Sequence, residues 1–309
     1  MWRKTLEVLM DNMGEFVSGE DISDQLGMTR AAIWKHVDQI KKEGYLVESV
    51  SRRGYRLVEI PDKIDEVIIR WGLDTKVLGS HIVSLNSIES TNMVAKEMAI
   101  EGSKEGTVII ADEQTGGKGR MGREWISPSE KGIWMSIILR PSIAPAKAPL
   151  ITSMAAIAVA RAIEGVTGLR PSIKWPNDIL IGDKKVCGIL TEMQGDMDII
   201  QFVVVGIGIN ANLDLKDFPK ELKDRATSLK LECGESVIRA DVIREVLREF
   251  EDLYSKYMEN RDSQSIISAI SKNSATIGKK VRVVGVNMDL EGVAVAIAED
   301  GALMVMLDD

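Results

Sequence analysis

The chain is poor in cysteine, in positive charge and in long apolar runs, and each shortage removes a class of protein. Cys187 and Cys233 are the only cysteines among 309 residues, too few for a disulfide framework and without the Cys-x-x-Cys spacing of a zinc or redox site. Both read as ordinary reduced thiols. Acidic residues outnumber basic ones by 47 to 39, for a formal net charge of −8, so the molecule as a whole has no electrostatic reason to coat nucleic acid or an anionic membrane. Any DNA contact must come from a local patch. The N-terminus MWRKTLEVLMDNMGEF carries charges every few residues, unlike the apolar core of a signal peptide. The most apolar window, PLITSMAAIAVARAI, is interrupted by Arg161, short of the ~20 residues of a membrane span. These shortages predict a cytoplasmic protein with no membrane segment. Internal repeats and low-complexity tracts are missing as well.

What is present is an ordinary folding composition, 45% apolar and 28% charged, on a chain long enough for two or three domains. The patterning predicts three: residues 1–63, 64–270 and 271–309. In the first, SGEDISDQLGMTRAAIWKHVDQIKKEGY holds two short helical patterns, broken at Gly27 and restarted at Thr29, a good N-cap. That is the grammar of a helix-turn-helix. Ile33, Val37 and Ile40 recur at helical spacing and would face a core, leaving Arg30, Trp34, Lys35 and Lys41 outward. YLVESVSRRGYRLVEI then alternates on both sides of a turn signal, as a β-hairpin wing does. From Arg30 to Arg56 seven basic residues face three acidic ones, a local net charge of +4 in an acidic chain. A winged helix that binds operator DNA is expected, with Thr29, Arg30, Trp34 and Lys35 toward the major groove and Arg52 and Arg53 on flanking phosphate. A winged helix used only for protein contacts is the alternative.

PDKID, residues 61–65, reads as a linker into the large middle segment. There apolar runs alternate with turns as short as IGDKK and MQGDMD, so their strands must be antiparallel neighbours. Helical stretches near Ser90–Ile100 and Leu150–Val166 separate them. The fold class is therefore α+β, a central mixed or antiparallel sheet with packed helices. VIRADVIREVLREFEDLYSKYM is a long amphipathic helix whose charges read as a solvated face. The last segment has three or more short strands with turns at Asn287–Asp289 and Glu299–Gly301, expected as a small barrel-like β domain.

Gly117, Gly119 and Gly122 spell the Gly-x-Gly-x-x-Gly of a dinucleotide turn after an apolar run. Such a turn opens a helix whose N-terminus holds the pyrophosphate; here REWISPSEKG follows, with Pro128 and turn residues in the helix's place. That context argues against a nicotinamide enzyme and leaves it the third reading. With Lys118, Arg120 and Arg123 between or beside the glycines, the loop suits closure over an anionic small molecule. In KWPNDILIGDKKVCGI, Pro176 stops strand pairing and puts Asn177 and Asp178 at a sheet end, to which Lys185 returns after a hairpin. A lysine and a carboxylate beside a basic loop suit a nucleotide phosphate with its magnesium ion. GIGIN, Gly206–Asn210, adds a backbone that something can approach closely.

With these motifs in order, ESTN at 89–92, GKGRMGREW, KWPND, KVCGI, GIGIN and an N-terminal LGMTRAAIWKH, the chain resembles the biotin protein ligases, in the bifunctional form that also represses biotin synthesis genes. The resemblance covers nearly the whole chain. It implies a winged helix-turn-helix, a class II synthetase-like catalytic domain and a small SH3-like barrel. It also implies a biotin-[biotin carboxyl carrier protein] ligase, which joins biotin to ATP as biotinyl-5′-AMP and passes biotin to a lysine of a carboxylase carrier domain. On that resemblance Lys185, Arg120 and Asp178 are the expected catalytic residues. Biotin would be bound by Ser90, Thr91, Asn92, Gln114, Gly117, Lys118, Gly119, Arg120, Trp134, Lys185, Gly206 and Gly208. ATP and the adenylate would meet Arg120, Arg123, Trp125, Asn177, Asp178, Lys185 and Asn210, with Trp125 stacked on adenine. No protein metal site is expected; Mg2+ would come with the ATP phosphates. A homodimer on a two-fold operator would follow if the adenylate orders a dimer surface. The family loop often reads Gly-Arg-Gly-Arg-x-Gly-Arg; Lys118 replaces its first arginine, keeping the charge without the planar fork. The competing readings are a lipoate or octanoate ligase and a ligand-sensing repressor without catalysis.

Overall fold

Hydrogen-bonded caps start the second and third helices. In the computed structural model, which describes residues 2–285 and 288–307, α1 spans Trp2–Asp11, α2 Gly19–Leu26 and α3 Arg30–Lys42. Ser18 Oγ accepts from the Asp21 amide at 3.0 Å to start α2, and Gly27 closes it in the left-handed region at φ 61°. Thr29 Oγ1 accepts from the Ala32 amide at 3.2 Å to start α3. Ile33, Val37 and Ile40 are buried as their spacing predicts, among Leu6, Leu9, Ile22 and Leu57. Strands β1 (Leu46–Val50) and β2 (Gly54–Glu59) pair antiparallel around the expected turn, with Arg52 in the left-handed region at its tip. Asp65, read as the end of a linker, instead caps α4 (Glu66–Arg70), its carboxylate accepting from the Ile68 amide at 2.9 Å. These elements form one compact unit, Met1–Gly72.

The second unit, Leu73–Asp309, is built on a seven-stranded sheet. Its strands are β3 (His81–Ile88), β4 (Thr107–Gln114), β5 (Ile133–Leu139), β6 (Pro171–Lys174), β7 (Asp178–Ile181), β8 (Lys184–Gly195) and β9 (Ile200–Ile209), in the spatial order β3-β4-β5-β9-β8-β7-β6. Only β3 and β4 run parallel, and α5 (Thr91–Ile100) supplies the crossover that parallel pairing needs. All other neighbours are antiparallel, the hairpins at Gly182 and after Gly195 among them. The sheet is mixed, as expected.

Helix α6 (Pro149–Thr167) begins on proline, ends at the left-handed Gly168 and is buried along most of its length. The stretch Pro145–Thr167 is long and apolar enough to cross a membrane by composition, Arg161 notwithstanding, but 67% of its most apolar window is buried in this fold. After α7 (Leu229–Cys233) comes α8 (Arg239–Asn260), which packs on α6. Its charges are not all a solvated face. Arg239 is 1% exposed and donates to Asp112 Oδ1 at 3.1 Å and the Gly132 carbonyl at 3.2 Å, because burial is tolerable for a guanidinium whose donors find oxygen. Glu251 accepts three backbone amides, from Lys76, Val77 and Leu78.

After α9 (Ser263–Lys272) the last segment is a three-stranded antiparallel sheet of β10 (Lys280–Gly285), β11 (Met288–Ile297) and β12 (Leu303–Leu307). Its turn at Glu299–Gly301 falls where expected, and the turn expected at Asn287–Asp289 begins outside the described residues. The Trp175 indole, donating to the Gly301 carbonyl at 3.0 Å, ties this sheet to the β6–β7 turn.

Candidate functional site

A cleft of about 510 Å3 opens over the centre of the large sheet. Its floor is β8 and β9, where Gly188 faces Gly208 across the ladder. The missing side chains make room for an indole: a Cβ on Gly208 would lie 2.5 Å from Trp125 Nε1, and one on Gly188 3.0 Å from its ring. A Cβ on Gly206 would overlap the Asn92 amide oxygen. The glycines of KVCGI and GIGIN thus admit Trp125 and Asn92 onto the sheet.

Lys185, at the start of β8, lies 2.7 Å from Asp178 Oδ1, and its ammonium sits 5.1 Å from the Trp125 ring centroid. Asn177 donates to the Ile189 carbonyl at 2.8 Å, and Arg120 reaches back to Asn177 Oδ1 at 3.5 Å. The β6–β7 turn and the glycine loop therefore meet over one point. No helix opens after Gly122; Arg120–Gly122 is a single 3-10 turn with Met121 left-handed, which leaves Arg120 and Arg123 exposed at the mouth. Lys118 is 3.8 Å from Glu89.

The opposite wall is polar. Ser90 precedes α5, is 3% exposed and makes no capping bond with its hydroxyl. Gln114 Oε1 accepts from the Thr91 amide at 2.8 Å and stands 3.1 Å from its hydroxyl, while Gln114 Nε2 donates to Ser127 at 2.9 Å. Asn92 donates to Glu192 Oε2 at 2.8 Å, and Lys96 reaches Glu192 Oε1 at 2.7 Å. Burial works to raise the Glu192 pKa, but the hydrogen bonds from Lys96 and Asn92 outweigh it and hold the carboxyl below its ordinary value.

Most of the expected site residues are brought together here; three are not as expected. Trp134 does not wall the cleft. It is 1% exposed, packs with Leu213 and Phe218 and edge-on to Trp125, and donates to the Pro128 carbonyl. Gly117 is buried behind the loop, where a Cβ would overlap the Trp125 carbonyl. Asn210 lines the cleft, but its amide is committed to the Thr227 carbonyl at 3.0 Å. The sequence reading also missed a wall, Leu213 to Ala226, whose Phe218, Leu222 and Arg225 border the cleft. It is bound to the lysine strand through Lys185 N to Arg225 O at 2.8 Å and Thr227 N to Lys185 O at 2.9 Å. Its polar, non-periodic sequence offers only Pro219 as punctuation. Within it Lys230 and Lys131 bond Asp214 and draw its pKa down to about 2. Cys187 is fully buried under the floor and burial pushes its thiol pKa up, so it is no nucleophile.

In the N-terminal unit a groove of about 490 Å3 lies between α3 and the wing, lined by Arg30, Trp34, Lys41 and Arg52 among others. Trp34 is 62% exposed. Arg30 is paired with Glu20 at 2.6 Å, Thr29 spends its oxygen on the cap, Lys35 is exposed, and Arg53 stacks on Phe16 at 4.2 Å. Of the residues expected to meet DNA, Arg30, Trp34 and Arg52 line this groove, and Thr29, Lys35 and Arg53 do not.

The sequence matches two family models: residues 84–210 that of the biotin/lipoate A/B protein ligase family, and residues 2–56 that of an HTH domain. Among named relatives, the bifunctional ligase/repressor BirA of Bacillus spizizenii is 47% identical over 98% of this chain and 93% of its own. The protein of that name from Bacillus subtilis is 46% identical over the same shares. Among solved structures, the biotin protein ligase of Aquifex aeolicus in complex with biotin and ATP superposes with a TM-score of 0.63 at 30% identity, covering 73% of this chain and 91% of that one. The chain belongs to the biotin/lipoate A/B protein ligase family, in its bifunctional ligase/repressor branch.

Proposed function

We infer that the protein is an ATP-dependent biotin protein ligase and a DNA-binding repressor. The observation that carries the ligase reading is Lys185, held between Asp178 and the Trp125 ring in a cleft whose other end presents the polar side chains of Ser90, Thr91 and Gln114. A carboxylate attacking an α-phosphate brings two anions together, and the reaction needs fixed cations at that point. Biotin's carboxylate oxygen bonds to the α-phosphorus and pyrophosphate leaves. Lys185 neutralises the phosphoryl oxygens, and Arg120, Arg123 and Lys118 close over the phosphates from the loop. Asn177 and Asp178 lie beside the phosphates, and the ATP-borne Mg2+ adds charge neutralisation there. Among the described residues no cluster of His, Cys, Asp or Glu could hold a metal alone. Trp125 stacks on adenine, and Ser90, Thr91 and Gln114 hydrogen-bond the ureido ring, whose polar groups cannot go unpaired when buried.

In the second step a lysine amine of a biotin carboxyl carrier protein attacks the acyl carbon and AMP departs, so the cleft need only orient the amine and exclude water. On this reading Asp178 takes the amine proton. On this reading the protein works in the cytoplasm, and a homodimer presents two winged helices to a two-fold operator when the adenylate is bound. The test is to mix the protein with biotin, ATP and Mg2+ without carrier and seek bound biotinyl-5′-AMP by mass spectrometry. Adenylate from biotin but not from lipoate supports the reading. Binding of biotin with no adenylate would leave a sensing repressor.

A further inference from the structure

We propose that Glu20 is a positioning residue for base recognition: it holds the guanidinium of Arg30 as a preset fork for a guanine in the major groove, and its charge penalises DNA that offers no such base. The proposal rests on the repressor reading and deepens it, from a patch that meets DNA to one residue pair that tells sequences apart.

Arg30 is a charge in an unfavourable place. It is the first residue of α3, and the first turn of that helix holds no acidic residue. The positive end of a helix dipole disfavours a cation there, so Arg30 does nothing for the helix that carries it. It is nevertheless the one long polar side chain of that turn, beside Ala31, Ala32 and the buried Ile33. Its counter-ion comes from α2, where Glu20 Oε2 lies 2.6 Å from Arg30 Nη2. The two side chains are 66% and 64% exposed, and an ion pair so open to water adds little to stability. Glu20 also lines the groove between α3 and the wing, with Arg30, Lys41 and Arg52. A carboxylate on that surface repels any phosphate that approaches it.

What the pair provides is direction. A guanidinium carries five N–H donors in a rigid plane. Glu20 takes the Nη2 end, and among the described residues Arg30 has no other hydrogen-bond or ion-pair partner. Nη1 and the second Nη2 proton stay unclaimed, a parallel donor pair of the kind that O6 and N7 of guanine accept. The N-terminal residues of a recognition helix are the ones that reach base edges. An untethered arginine loses its rotamer freedom when it binds a base, whereas one already held loses less. A sequence without guanine at that step meets the Glu20 charge and gains none of the fork's bonds. Both effects widen the gap between the target and arbitrary DNA.

The experiment uses the full-length protein with saturating biotin, ATP and Mg2+. Bound sequences are first selected from a pool of duplexes with a randomised core. Affinities are then measured at one salt concentration for the selected duplex, for duplexes in which each G·C pair is changed in turn to A·T, and for an arbitrary duplex. In the wild type at least one such change should weaken binding about tenfold or more. Arg30→Ala should abolish that penalty. Glu20→Ala should cut the same penalty to less than about threefold while tightening the arbitrary duplex by about two- to fivefold. Glu20→Gln removes the charge and keeps an acceptor, so it should tighten the arbitrary duplex equally and keep the penalty within about twofold of wild type. On the Arg30→Ala background, Glu20→Ala should leave discrimination unchanged. A merely structural role for Glu20 would weaken all duplexes together, and a merely electrostatic one would tighten all of them equally; either result overturns the proposal. So does a loss of discrimination at a different base pair from that of Arg30→Ala. A wild type that selects no sequence overturns the repressor reading, and this proposal with it.

Discussion

Gly208→Ala puts the strongest stress on the link between backbone and site. The added Cβ would stand 2.5 Å from Trp125 Nε1 and 2.7 Å from Cε2, whereas ordinary contact begins near 3.4 Å. The indole must therefore retreat by roughly 1 Å, yet Trp134 sits edge-on against it at 6.4 Å between centroids and cannot yield, being itself buried. Overpacking of this kind costs about 1–3 kcal/mol, equivalent to a weakening of roughly 5- to 150-fold if it falls on ligand affinity. Gly188→Ala should be milder, since its Cβ meets the Trp125 ring edge at 3.0 Å and the end of the Lys185 side chain at 3.1 Å, both less close than the Gly208 contact. Chemical denaturation and ATP titration of G208A, W125A and G208A/W125A form a double-mutant cycle. Because the clash is with the indole, G208A should cost little once Trp125 is gone, giving a coupling of about 1 kcal/mol or more. Additive effects, or wild-type stability and affinity in G208A, would refute the packing argument.

Arg239→Met should destabilise the fold by about 3 kcal/mol in chemical denaturation, because it leaves the Asp112 carboxylate and the Gly132 carbonyl short of a buried donor; a loss below about 1 kcal/mol would contradict that. Hydrogen bonds from Lys230 and Lys131 hold the Asp214 carboxyl below its ordinary range, down at about 2, so its stabilisation is complete above the unfolded pKa and is lost as pH falls toward 2. Asp214→Asn should therefore flatten the acid limb of stability between pH 4 and 2 in a denaturation series, and an unchanged limb would count against the Lys131–Asp214–Lys230 cluster. In the winged helix, Arg52→Ala should weaken duplex binding about equally for all sequences and reduce the slope of log affinity against log salt by about 0.9. A change confined to one sequence would make Arg52 a base reader instead.

The parts of this fold legible in the sequence are those fixed by local physics. The helix-turn-helix followed from Gly27, which closes α2, and Thr29, which caps α3. The hairpins at Arg52 and Gly182 followed from short turns between apolar runs, and the cleft from residue types that cluster at strand ends. What escaped depends on partners far along the chain. Arg239 looks solvated in its helix and becomes core only because Asp112, 127 residues away, supplies an acceptor. The glycines of β8 and β9 say that something approaches closely, but not that it is Trp125. Trp134 carries the same aromatic signal as a pocket wall and is packed instead. The wall from Leu213 to Ala226 has neither helical nor strand periodicity, so only its bonds to the Lys185 strand reveal it.

The central claim is that Lys185 stabilises the transfer of an adenylyl group to biotin's carboxylate. Biotin-dependent exchange of labelled pyrophosphate into ATP isolates that step from the carrier and from DNA. The wild type should show exchange only when biotin is present, and Lys185→Ala should lose it by about a hundredfold or more while its unfolding midpoint stays near that of the wild type. Exchange without biotin, or exchange undiminished in Lys185→Ala, would contradict the mechanism.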